Sequence, residues 1–140
     1  MKYTRAGDTI IVRIDKGEEI VGVIKTACAG EAVLTGTLTG LGAACNAVIG
    51  YYDVESKEYH SKHVKEAHEI VSLNGVITRV DNEVHLHAHI VLADEKCRCV
   101  GGHLNSAEVS ATCEAVIRVI ETALSRIKDE ETRLQILHLT

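Results

Sequence analysis

The chain has no proline, phenylalanine or tryptophan, and its aromatic content is four tyrosines in 140 residues. Without large rings, the interior has to be filled by Val, Ile, Leu and Ala, which suit strands and close sheet packing. Long apolar runs are missing too. No segment approaches the roughly 20 residues of a membrane-spanning helix, and the opening MKYTRAGDT does not have the form of a secretory signal. Basic charge is scarce: 15 Lys and Arg against 20 Asp and Glu leave a net charge of −5 with His neutral. Such a chain gains little from the phosphate attraction that drives general nucleic-acid binding. The five cysteines are an odd number, with only Cys97 and Cys99 close in sequence. An adjacent CxC on one strand does not bridge easily, so no disulfide framework is expected. The composition implies a reduced, cytoplasmic protein with no membrane partner.

What is present fits one domain, with 46% apolar and 25% charged residues and a length sufficient to bury a core. Thr9–Asp15 (TIIVRID) has the β-branched density of a first strand. Asp15 with Glu18 resembles a capping box, and Ile20, Val23, Ile24 and Ala27 follow at helical spacing, closed by Gly30. Residues 31–53 are punctuated by Gly36, Gly40 and Gly42. That spacing is not a dinucleotide fingerprint, and no GK[ST] is present. We expect two strands here, with glycine bulges and a sharp turn near Leu41–Ala43. VESK at 54–57 joins the second of them to a hairpin partner at Glu58–Lys62. Ala67–Val80 reads as a strand with a bulge or turn at Asn74-Gly75, and Asp81-Asn82 turns the chain again. Asn105–Glu108 reads as a polar loop, Val109–Leu124 as a long strand although Ala111, Ala115 and Val119 also permit a helix, and Leu134, Ile136 and Leu137 as a short final strand.

The richest stretch is Val84–Leu104, VHLHAHIVLADEKCRCVGGHL, which holds four of the eight histidines. His85, His87 and His89 alternate with Leu86, Ala88 and Ile90. On a strand this puts three imidazoles on one face and an apolar row on the other, whereas a helix would scatter them. Same-face neighbours lie about 6.6 to 7 Å apart, so two imidazoles can converge on one ion but three in a row cannot. A third ligand has to come from elsewhere, and His103 is the natural candidate. A five-residue turn at 94–98 sets His103 opposite His89, a three-residue turn sets it opposite His87, and an even one needs a bulge at Gly101-Gly102. Three imidazoles leave zinc's fourth position open. Cys97 and Cys99, at the hairpin tip, lie too far from His87 to join. His60 and His63, among lysines and glutamates, read as surface. Glu69 is either an edge charge or a carboxylate supporting the site. Glu114 must be paired or face outward.

At these residues the chain resembles the plants-and-prokaryotes-conserved (PPC) domain, through SLNGVIT at 72–78, HLHAHIVLADEK at 85–96 and GGHL at 101–104. The likeness runs from Arg5 through ATCEAVI at 111–117 to ETRLQIL at 131–137. It implies an α+β fold, mainly antiparallel sheet with a few flanking helices, assembled as a homotrimer. It also implies a divalent metal, zinc by donor type, on His87, His89 and His103, with His85 outside the matched trio. The family's DNA-binding label rests largely on plant members that carry an AT-hook, which needs an Arg-Gly-Arg-Pro-like core that this chain lacks. Cupins also pair HxH with a carboxylate and a later histidine, but Glu95 follows His89 by six residues, too late for their spacing.

Two functional classes follow. The first is a metal-binding regulatory or interaction module that contacts DNA, if at all, through the assembled trimer or a partner. The second is a zinc-dependent hydrolase or lyase acting on a small molecule. The enzyme needs a general base near the ion, and Glu69 is the named candidate.

Overall fold

The structure, a computed structural model, describes residues 1–139. It contains β1 (Lys2–Ala6), β2 (Thr9–Asp15), α1 (Ile20–Gly30), β3 (Thr35–Asp53), β4 (Glu58–Val64) and β5 (His68–Val80). These are followed by β6 (Glu83–Ala93), β7 (Cys99–Ile120), β8 (Ser125–Lys128) and β9 (Gln135–His138). Seven strands form one antiparallel sheet in the order β1-β2-β7-β6-β5-β3-β4, and β7 also pairs with β3. The pairings β3–β5–β6–β7–β3 therefore close on themselves. Strand β7 manages this by length. Its first residues pair with β6, its last with β2, and β3 runs along most of it. The fold is thus mainly antiparallel sheet with a single α-helix among the described residues, less helical than the expected α+β arrangement with a few flanking helices.

Alternation sets the core. On β2, Ile10, Val12 and Ile14 are buried while Ile11 and Arg13 are exposed. On β6 the buried row is Ala88, Ile90 and Leu92. Helix α1 lays Ile20, Ile24, Ala27 and Cys28 onto the interior. Its cap is Glu19, whose carboxylate accepts from the backbone N–H groups of Val21 and Gly22. The expected Asp15–Glu18 capping box instead closes the turn before the helix: the Glu18 carboxylate accepts from the Asp15 backbone N–H and from the terminal amine of Met1. Gly30 is the last helical residue, and Glu31 follows as the C-cap.

Glycine shapes the long strands. Residues 35–53 form one strand, not two, because the irregularity between Gly40 and Gly42 bends the ladder without ending it. Gly42 has φ +142 and lies against the backbone of Thr112 and Cys113. Asn74 and Gly75 are neither bulge nor turn. They pair in register with His89 and Ala88, and the shift in β5 falls between Ile70 and Ser72. Asp81 and Asn82 both take positive φ, 50 and 66, as a two-residue hairpin turn requires. Asn105–Glu108 lies inside β7 and is not a loop; register shifts against β3 absorb it. Leu134, the first residue expected in the final strand, precedes β9, which pairs with β8.

Candidate metal centre

The β6–β7 turn has five residues: Ala93 pairs with Cys99, and four positions further in, His89 pairs with His103. Of the sequence alternatives, the five-residue loop is the one realised. No glycine bulge is needed, and Gly101 and Gly102 stay in register opposite Val91 and Ile90. The diglycine serves close packing instead. A Cβ on Gly101 would meet the Ile90 carbonyl oxygen at 2.7 Å, and one on Gly102 would meet that of Gly50 at 2.6 Å.

His87, His89 and His103 converge. Each offers one ring nitrogen, and these atoms all lie within 4.8 Å of one another. The ring centroids are 5.2, 5.3 and 5.6 Å apart. No other group of three or more His, Cys, Asp or Glu side chains among the described residues meets that condition. Ligand nitrogens around a tetrahedral ion with bonds near 2.0–2.1 Å stand roughly 3.4 Å apart, a closure that side-chain rotation supplies. The donor set is all imidazole, which suits zinc, copper, iron or nickel better than the oxygen-seeking magnesium or calcium. The residues present fit such an ion. Among the described residues, no hydrogen bond to a protein group engages these three rings, so their nitrogens are available for coordination.

Protonation favours the same use. Burial, with the neighbouring His103, His89 and Arg126 charges behind it, pushes the His87 imidazole down to about 4. Burial and then His89 lower His103. Neutral imidazoles are the form that binds metal. A stability consequence follows for chelator-treated protein. The folded pKa of His87 lies below the ordinary value of 6.5, so between the two the unfolded chain binds more protons. Stability from this group is therefore full above pH 6.5 and declines as pH falls towards 4. We expect the melting temperature to drop across that window and the slope to lessen in His87→Asn; parallel profiles for the two proteins would refute the assignment.

The remaining sequence candidates stand apart. His85 shares the outward face but pairs with Thr78, with Arg126 and Lys25 as its charged neighbours, and burial first, then those cations, lowers its pKa. Glu69 pairs with Ala93, four residues along β6 from His89, roughly 13 Å by strand rise. The general base named for an enzyme is therefore not beside the histidines. Cys99 is equally remote at the far end of the ladder, and Cys97 is exposed in the turn. His60 stacks on Tyr51, and His63 lines a cleft with His68 and Asp94. Glu114 resolves outward, exposed between Arg13 and Leu41.

Sequence reasoning missed Tyr59. Its ring lies edge-on to His103 with centroids 6.3 Å apart, and its hydroxyl is 2.8 Å from Nδ2 of Asn105. Strand β4 carries it over Gly50, where any side chain would overlap the ring, and Gly50 is the β3 partner of His103. The hairpin at VESK is legible in sequence, but its placement beside β7 depends on long-range pairing.

Residues 1–121 match the model of the Plants and Prokaryotes Conserved (PCC) domain. Among solved structures, a metal-containing protein of Archaeoglobus fulgidus is 34% identical, with TM-score 0.87 and coverage of 99% of this chain and 100% of that one. A plant- and prokaryote-conserved protein of Pyrococcus horikoshii is 29% identical, with TM-score 0.85 and coverage of 99% and 95%. A proposed DNA-binding protein of Bacteroides thetaiotaomicron is 28% identical, with TM-score 0.95 and coverage of 98% and 96%. No curated protein matches the chain.

Proposed function

Because this chain belongs to the Plants and Prokaryotes Conserved domain family, we propose that it is a metal-binding regulatory or interaction module. In this reading His87, His89 and His103 hold one divalent ion, zinc by donor type, and the protein works as a homotrimer in the cytoplasm. The observation that carries it is the convergence of three ring nitrogens within 4.8 Å on an outward sheet face. A bound ion would keep an open coordination position with Lewis-acid character. His87 and His89 supply it from one strand, His103 from the next, and Tyr59 limits the movement of the His103 ring. The metal-containing relative from Archaeoglobus fulgidus supports a metal here.

Self-association is supported by the directly opposed Ile11 and Val116, both exposed, with Leu41 also exposed nearby on β3. Five free thiols accord with a reducing compartment. No helix is long and apolar enough to cross a membrane. DNA contact, the activity proposed for the Bacteroides thetaiotaomicron relative, would depend on the assembled trimer or a partner, since the chain's own charge is −5.

The test is the metal content of purified protein beside His87→Ala and His103→Ala. We expect one ion per chain in the parent. Removing one of three ligands should weaken binding by at least about 10²-fold, because ten or more kcal/mol of binding is shared among few ligands. Stoichiometric metal retained by both variants would end the reading.

A further inference from the structure

The short β8–β9 hairpin brings one cation to the histidine face. Arg126 of β8 donates from Nε to the buried Thr78 hydroxyl at 3.0 Å and from Nη1 to the Gln135 carbonyl at 2.7 Å. These two bonds fix the guanidinium and leave Nη2 uncommitted. Thr78 is the direct partner of His85, so Arg126 is anchored beside His85 on the histidine face, and His87 is the next same-face residue along β6, about 6.6 to 7 Å from His85 by strand rise. Its charge reaches both His85 and His87.

Arg126 is partly buried, and among the described residues no carboxylate oxygen lies within 4.0 Å of it, although five other cationic groups have such partners. Glu83, the next same-face position before His85, makes no such pair either. A partly desolvated cation without a counter-charge is unfavourable, so a group that completes it would be favoured. The three histidines carry no negative charge to do so, and an ion among them would add positive charge. What Arg126 lacks among the described residues is an anion within reach.

We propose that the site takes a small oxyanion, a carboxylate or phosphate, held jointly by the ion on His87, His89 and His103 and by Arg126. This rests on the three histidines holding an ion. An oxygen about 2.0–2.2 Å from an ion and a second about 2.7–2.9 Å from a guanidinium are the two contacts by which one carboxylate or phosphate group would join the ion to Arg126. Thr78 is a positioning residue, since it sets the guanidinium without touching the ligand. Arg126 lies beyond residue 121, where the family match ends, so this half of the site belongs to the C-terminal hairpin.

The experiment loads the whole protein with cobalt(II), whose visible absorption reports coordination, and titrates it with inorganic phosphate and, separately, acetate. Whichever anion binds more tightly identifies the class. Arg126→Gln should take up cobalt as the parent does but bind that anion about tenfold more weakly. Arg126→Lys, which keeps the charge and loses the fork, should fall between them. An anion affinity within threefold of the parent in Arg126→Gln, with cobalt bound, overturns the inference while sparing the metal site. A parent protein that takes up no cobalt overturns both.

Discussion

Gly42→Ala is expected to lose roughly 3–5 kcal/mol of stability, a large part of the ~5–15 kcal/mol typical of a whole domain. Two costs coincide at this position. The backbone sits at φ +142, which L-residues rarely adopt, and an added Cβ would run into the Thr112 carbonyl and the Cys113 backbone. Neither neighbour can yield like a flexible side chain, because both are main chain of β7 at the point where β3 bends. Gly7 provides the control. It has φ +62, but nothing lies within 4 Å of a Cβ built there, so Gly7→Ala carries only the conformational cost of about 1–2 kcal/mol. Urea unfolding midpoints should therefore rank parent, Gly7→Ala, then Gly42→Ala, with the last poorly soluble. Equal midpoints for the two variants would show that the close approach is not rigid.

That contrast shows where the sequence was legible. Strand β2 follows Thr9–Asp15 residue for residue, because period-2 alternation of β-branched residues is a local signal. The histidine strand was legible for the same reason, and the five-residue turn decided the register of His103 from a short set of alternatives. Where polarity stood in for geometry, expectation failed. Asn105–Glu108 looked like a loop because its residues are polar, yet an outward-facing strand segment with register shifts tolerates them. Strand β1 gave no signal, since all five of its residues are exposed and no burial pattern marks them. Tyr59 and Arg126 were out of reach for another reason. They come to the histidine face from β4 and β8, and only long-range packing brings those strands there. Nothing in the spacing of either residue announces that meeting.

Gly102→Ala should connect the two themes, weakening the metal site without touching a ligand. A Cβ here would stand 2.6 Å from the Gly50 carbonyl oxygen, where β3 and β7 pack closely beside His103. Relieving that contact means moving β7 away from β3 or tilting the β6–β7 ladder. Either movement displaces His103, the adjacent residue and the last one paired to β6. Overpacking of this kind costs roughly 1–3 kcal/mol, so the variant should still fold. Metal affinity should suffer more, by something like 10- to 100-fold, the usual effect of disturbing the groups that hold a ligand in place. His87 and His89 remain in position on β6, so residual weak binding by that pair is expected rather than complete loss. Measuring zinc affinity at a temperature where parent and variant are both folded separates the two effects. If affinity is unchanged while stability falls, the diglycine serves the sheet alone and the position of His103 is set by its other neighbours, Tyr59 foremost.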